Sequence, residues 1–441
     1  LNIFQVTKNI IFPTLLLLAA TPNVCAQTAM PMTLEQLFER VEQGSCTLAA
    51  AKTNVDAAQH GIDAALSQRL PDLSANLSVS YIGNALLTDR DFSNAHGLHS
   101  PHFGNSFAIE AQEAIYTGGA LSAGIKLAEL GKQLAETGVV LTRQQARFLA
   151  LGQYLDLYKV DNRMRVYREN MSLTRQLIAD IKQRQQQGMA LKNDITRYEL
   201  QMEQLSLGLE QLQNTRKILN HQLCNTLALP QQTNVQPDTT LVSASLPRDP
   251  EAAWQNRSTT TSPLLEQSRL NIGIAQQKER IAKSELLPKV AIVAANNFDG
   301  PITFELPPID KNLNIWYVGV GVKYNIGALY KKNKQVRQAA AQTQIAQQQY
   351  NVQREAIDNR TNAAYIKYMQ TYTELDTQRK SVELARQNYN VVNARYLGQL
   401  ALITDMVDAS NIRLNAELQE VDARINILYA YYQLKYAAGE I

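Results

Sequence analysis

Two periodicities alternate along the chain, and the order in which they alternate recurs. LSANLSVSY at residues 73–81 sets Leu73, Ala75, Leu77, Val79 and Tyr81 on one face and Ser74, Asn76, Ser78 and Ser80 on the other. That is the period of a strand with one apolar face. Late in the chain Trp316, Val318, Val320, Val322 and Tyr324 alternate with Tyr317, Gly319, Gly321, Lys323 and Asn325. At roughly 3.4 Å per residue the two aromatic ends stand about 27 Å apart, near the height of the lipid-facing band of a membrane β-barrel with its aromatic girdles. Strands are expected near residues 72–87, 105–117, 289–297 and 313–326. An ordinary half-buried sheet is the alternative that alternation leaves open.

Between these strands the pattern is helical and long. No proline occurs from His102 to Leu229 or from Ile309 to the end, whereas Pro230, Pro237, Pro247, Pro250 and Pro263 crowd a Thr/Ser-rich middle. Proline breaks helix interiors, so the two proline-free stretches are where long helices can run. Residues 120–187 predict a rod on the order of 100 Å at 1.5 Å per residue, far longer than a globular core needs. Near the C-terminus Asn411, Leu418, Ile425 and Tyr432 form one heptad row, and Val407, Leu414, Val421 and Leu428 a second. Such a seam packs against partner helices. Gln, Asn, Lys and Glu fill most other positions, which leaves the remaining helix surface wet. Gly124, Gly131 and Gly138 recur every seven residues and suit close helix packing.

The pattern is duplicated. ALKND at residues 190–194 echoes ALITD at residues 401–405 with an offset of 211, and SQRLPDLSANLSVSY from Ser67 resembles SELLPKVAIVAANNF from Ser284 with an offset of 217. Residues 27–231 therefore read as a first repeat, 232–262 as a linker or equatorial segment, and 263–441 as a second repeat. Residues 1–26 read as an export signal: Lys8, an apolar core at residues 10–20, then VCA at residues 24–26. The core is about half the roughly 20 residues of a membrane span. PNVC lacks the small residues that usually precede a lipidated cysteine such as Cys25.

Composition excludes more than it identifies. The net charge of +3 is small and dispersed, so no nucleic-acid partner is expected. Cys46 and Cys224 sit in helical patterns and suggest neither a disulfide framework nor a metal cluster. VGVGVKYNIG contains a GxG, but its glycines alternate with valines along a strand and open no phosphate-binding helix. No Ser/His/Asp or Cys/His set is present, so neither an enzyme nor a cofactor is expected. His96, His99 and His102 fall at three-residue spacing in NAHGLHSPHFGN, but Gly97 and Pro101 keep a helix from aligning them, and no metal site is assigned. Four strands cannot close a single-chain barrel, and an open edge cannot face lipid, so the chain must oligomerise.

At this point the sequence resembles the TolC-like outer-membrane efflux proteins. The resemblance rests on the junctions SQRLPDL and SELLPKV, on IYTGGALSAG from Ile115 and YNIGALYKK from Tyr324, and on the paired turns GMALKNDI and GQLALITDMVDAS. It implies an α+β membrane protein with internal duplication. Long antiparallel coiled-coil helices would form a periplasmic α-barrel, and four strands from each of three protomers would form a 12-stranded outer-membrane β-barrel. The implied partners are two further copies of the chain, a periplasmic adaptor (membrane-fusion) protein, an inner-membrane RND or ABC-type pump, and outer-membrane lipid. The implied function is the exit duct of a tripartite efflux system for drugs or other small molecules. A type I protein-secretion or heavy-metal channel shares the fold, and a non-porous periplasm-spanning scaffold is the alternative of another class.

The same resemblance directs attention to particular residues. Asp405 and Asp408, three apart on one helix face, would form acidic rings at the periplasmic entrance. Asp194 is the first-repeat counterpart of Asp405, and Arg197 stands where Asp408 would be, offering an ion-pair latch between hairpins. A helix N-terminus would also favour these acids through its dipole. Gly188, Met189, Ala190, Leu191, Gly398, Leu400, Ala401 and Leu402 form the turns that an adaptor's hairpins would grip, unless neighbouring hairpins cover them. Trp316 and Tyr324 would belong to the membrane girdle. Two departures stand out: Ser45 and Cys46 replace the family's usual Asn-Pro, and Gly398 lies one residue before the position that the 211 offset assigns to Gly188. Gly398 is therefore expected to make the second turn itself.

Overall fold

The computed structural model describes residues 29–238 and 246–441; the expected export signal at residues 1–26 lies outside them. The element order is β1 (Ala29–Met32), α1 (Leu34–Gly44), α2 (Cys46–Ser67), β2 (Asp72–Tyr81), β3 (Ala85–Leu87), β4 (His96–Leu98), β5 (Phe103–Tyr116), α3 (Ala120–Gln186) and α4 (Lys192–Thr226). It continues with β6 (Asn234–Pro237), α5 (Glu251–Thr261), α6 (Pro263–Ser284), β7 (Lys289–Gly300), β8 (Leu313–Lys323), α7 (Ala328–Lys331), α8 (Asn333–Leu397) and α9 (Ile403–Ala438). A short helix, two strands, a very long helix and a half-length return helix thus follow one another twice.

The proline-free stretches hold the long helices. α3 has 67 residues and α8 has 65, about 100 Å each at 1.5 Å per residue. α2 and α4 pack against α3, while α6 and α9 pack against α8. No helix among the described residues is long and apolar enough to cross a membrane. Their apolar positions instead form seams. Ile425 and Leu428, from the expected heptad rows, are buried with Ala150, Leu151 and Tyr154 of α3.

A second seam went unread in the sequence. Ala409, Ala416, Ala423, Ala430 and Ala437 of α9 recur every seventh residue and are all buried. Ala416 packs with Val382 and Ala385, and Ala423, Ala430 and Ala437 pack with Ala364, Tyr368 and Leu375, all on α8. Small side chains let two helix axes approach closely, so α9 is wedged between α8 on its alanine row and α3 on its larger residues.

The sheet order is β2-β5-β7-β8, antiparallel throughout. Register places Leu73, Ala111, Ala294 and Val318 in one cross-strand row, and Ala75, Ile109, Asn296 and Trp316 in the next row on that face. The opposite face carries rows such as Ser78, Ser106 and Asp299, where Ser106 Oγ donates to Asp299 at 2.5 Å. The apolar face is open: Leu73, Leu77, Trp316, Val318, Val320 and Val322 are each more than 60% exposed. β2 and β8 are unpaired edges.

β5 starts two residues before expectation and β7 runs three residues past it, while two other strands stop short. The strand expected over residues 72–87 stops at Tyr81, where Ile82 N–H donates to His102 O at 2.9 Å and closes the ladder. Ala85–Leu87 then turns away to pair with His96–Leu98. β8 ends at Lys323, so Tyr324 lies just beyond the strand that carries Trp316.

The middle segment, expected as a linker over 232–262, contains structure of its own. β6 pairs in parallel with β1, and α5 buries Trp254 against α8 and α9. Tyr154 of α3 donates to Met32 O at 2.7 Å and accepts from Asp238 N–H at 2.8 Å, clamping the two strands where both end.

Candidate functional site

The two long helices end in hairpin turns of the same construction. In the first, Met189 N–H reaches back to Arg184 O at 2.9 Å and Gly188 takes φ +76°. In the second, Leu400 N–H reaches Arg395 O at 2.8 Å and Gln399 takes φ +62°. Both are helix ends closed by a left-handed residue and a long return bond. The expectation for Gly398 is corrected here: its φ is −84°, and Gln399 occupies the left-handed position, so the 211 offset runs unbroken through the turn. A bond network repeated at both tips holds Gln399 there despite its side chain.

Each return helix then opens on an acid. Asp194 accepts from Leu191 N–H at 3.2 Å, and Asp405 accepts from Leu402 N–H at 3.1 Å. Both carboxylates satisfy a backbone donor that has no partner within the helix, and both sit where the helix dipole favours negative charge. Asp408 lies one turn further on and is exposed, and Arg197 is exposed at the matching place on α4. Neither makes a hydrogen bond or ion pair among the described residues. Within one protomer, then, Arg197 latches nothing.

Sequence reasoning missed two contacts between the tips. Arg184 donates to Leu397 O at 3.0 Å, tying the end of α3 to the end of α8. The Tyr396 hydroxyl lies against Asp194; burial, with that carboxylate's charge adding to it, pushes Tyr396 up to about 12. The signal for the arginine was available, since Arg184 and Arg395 share the 211 offset. Behind the turns Leu177, Ile181, Tyr198, Tyr396, Ile403 and Met406 form a small core. Ala190 and Ala401 pack against it, whereas Met189, Leu191, Leu400 and Leu402 are 49%, 70%, 72% and 69% exposed. In each turn one alanine points in and its two larger neighbours point out.

About 18 Å further along α9 from Asp405, at 1.5 Å per residue, a polar layer interrupts the seams. Glu417 accepts from Asn170 of α3 and from Arg386 of α8, both at 3.1 Å. Arg413 lies 3.6 Å from Glu417 and stacks over Tyr389. Three helices are thereby held in one register.

The loop histidines do not converge. His102 Nδ1 donates to Ile82 O at 2.8 Å, its ring stacks on Tyr81, and His99 meets it edge-on at 5.4 Å. Among the described residues no three His, Cys, Asp or Glu side chains form a set that could hold a metal ion.

The comparisons with known proteins bear on this arrangement. A family model described as outer membrane efflux protein matches residues 254–440, which include β7, β8 and the second hairpin. Among solved structures, the outer membrane protein VceC of Vibrio cholerae is 17% identical with a TM-score of 0.75, covering 92% of this chain and 96% of that one. The outer-membrane channel OprN is 15% identical at TM-score 0.75, with 92% and 90% covered. A membrane protein from Pseudomonas aeruginosa is 15% identical at TM-score 0.76, with 92% and 91% covered. A comparison with curated proteins finds no match by sequence. The solved structures share the fold over nearly the whole chain, and the family model matches the part of it that carries β7, β8 and the acidic hairpin.

Proposed function

We propose that three copies of this chain close a 12-stranded barrel in the outer membrane and continue it as a helical tube through the periplasm, forming the exit duct of a tripartite efflux system for drugs or other small molecules. The match of residues 254–440 to the outer membrane efflux protein model, together with the shared fold, supports the broader reading of an outer-membrane, periplasm-spanning channel of an efflux or secretion system that acts as a passive conduit. The observation that carries the finer reading is the four-stranded sheet, apolar on one face and polar on the other, with both edges unpaired and two helices of about 100 Å leaving its end. An unpaired edge in lipid leaves backbone donors and acceptors without partners, and edge-to-edge closure with further copies removes that penalty. Internal duplication supplies two hairpins per protomer, so a trimer presents six tips in a ring.

At those tips Asp405 and Asp408 would gather in threes around the axis. Like charges about 4 Å apart repel by roughly 1 kcal/mol in water and about 4 kcal/mol at an effective dielectric of 20, so such rings favour cations. The exposed Met189, Leu191, Leu400 and Leu402 suit the grip of a periplasmic adaptor, with an inner-membrane pump beyond it.

Single-channel conductance in a planar bilayer tests the proposal by comparing the purified protein with Asp405→Ala/Asp408→Ala. A small cation-selective conductance that grows or loses selectivity in the double variant is expected. Unchanged selectivity would remove the acids from the lumen, and no conductance from folded trimers would leave a scaffold.

A further inference from the structure

Midway along the first repeat, α3, α4 and β6 enclose a polar cleft of about 720 Å³ remote from the tips. Its floor is fixed. Arg216 pairs with Asp161, Nε to Oδ1 at 2.6 Å, and donates to Asn234 Oδ1 at 2.6 Å and Val235 O at 3.1 Å. That guanidinium is fully occupied in holding β6 to the helices.

The walls are not so committed. Arg165, Arg168 and Lys217 line the cleft with His221, and Asp161 is the only acid among its lining residues. Arg165 donates only to the neutral Asn162, Lys217 reaches Asn214 at 3.5 Å, and Arg168 and His221 have no hydrogen bond or ion pair among the described residues. Three permanent cations therefore face the cleft without a carboxylate, a field that concentrates anions. Carboxamides fill the space between them: Asn162, Gln213, Asn220, Gln231 and Gln236. Asn162, Asn220 and Gln231 are already bonded within the protein, whereas the side chains of Gln213 and Gln236 make no hydrogen bond among the described residues and offer both donors and an acceptor, the complement of hydroxyl and acetamido groups on a sugar.

We propose that this cleft binds a carboxylate-bearing glycan, the acidic, peptide-substituted polymer of the cell wall through which a periplasm-spanning duct must pass. Carboxylates pair with Arg165, Arg168 and Lys217, and the sugar's hydroxyl and amide groups meet Gln213 and Gln236. Position argues against a lipid headgroup. Asp161 lies about 60 Å along α3 from the helix's first residue at 1.5 Å per residue, well below the sheet. The contact would hold the duct in the wall layer.

The test uses the full-length protein in detergent and disaccharide–tetrapeptide fragments released from purified cell-wall sacculi, with binding followed by calorimetry. Saturable binding is expected. It weakens with added salt, and it falls by about tenfold or more in Arg168→Glu/Lys217→Glu, where charge-assisted bonds become repulsive. Arg379→Glu, on α8 outside the cleft, leaves binding unchanged. Gln213→Ala, which keeps the charge, weakens the fragment but not inorganic phosphate. Absence of binding by the unaltered protein, equal binding by the charge-reversed pair, or displacement by equimolar phosphate would each overturn the proposal; the last would leave a simple anion site. Channel conductance is expected to be the same in all these variants, so the outcome is separable from the function of the duct.

Discussion

Gln399 holds at the second hairpin the left-handed backbone position that Gly188 holds at the first, with φ of +62° against +76°. A residue with a Cβ is strained there by roughly 1 kcal/mol, and glycine is not. Gln399→Gly is therefore expected to stabilise the hairpin by about 0.5–1 kcal/mol, and Gly188→Ala to destabilise it by about 1 kcal/mol. Gly398→Ala is expected to be neutral, because φ there is −84° and an added Cβ meets nothing nearer than 3.5 Å. Thermal melting of the purified protein checks all three; a destabilising Gln399→Gly would refute the shared-turn account.

Asp405 and Asp408 differ in what they hold. Asp405 caps Leu402 N–H, whereas Asp408 makes no hydrogen bond or ion pair among the described residues. Asp405→Ala should lower stability by about 1 kcal/mol through the lost cap, and Asp408→Ala by less than about 0.5 kcal/mol. Denaturant unfolding of the two single variants separates a capping carboxylate from one that holds nothing within the chain.

Glu417 and Arg413 are only 11% and 12% exposed, and Glu417 joins α9 to both long helices. Glu417→Leu leaves Arg413 buried without a carboxylate, a change expected to cost about 3 kcal/mol. If Arg413→Met is then added, much of that loss should return, since removing both charges avoids the uncompensated one. A double-mutant cycle by melting measures the coupling, and additive losses would mean the layer does not act as a unit.

The apolar face of the sheet is expected to tolerate no charge. Val320→Arg, at the centre of β8 and 67% exposed, should destabilise membrane insertion by about 2–4 kcal/mol per chain. Ser74→Lys lies on the opposite face, directly across from Glu110 on β5, and should insert normally. The yield of membrane-extracted, heat-resistant oligomer distinguishes them; equal yields would mean that the apolar face does not meet lipid.

Much of this was legible along the chain because it depends on local rules. Alternation from Leu73 to Tyr81 and from Trp316 to Tyr324 reports a two-sided strand wherever the strand goes. The absence of proline after Ile309 permits a helix whatever packs on it. The return of ALKND as ALITD locates the two tips, since short motifs at a constant offset survive where their neighbours do not. The polar cleft, by contrast, joins residues of α3, α4 and β6 that no single periodicity links.

The sequence alone determined element type, order and repetition, because backbone propensity and hydrophobic period are properties of contiguous residues. Only the tertiary structure decided which helix meets which. The alanine row from Ala409 to Ala437 could have served any close contact, and its placement on α8, with Ile425 and Leu428 turned to α3, follows from packing three helices at once. The turn was decided in the same way. Nothing local favours Gln399 over Gly398 for a left-handed backbone, and the return bond from Leu400 to Arg395 overrides the preference that glycine states in sequence.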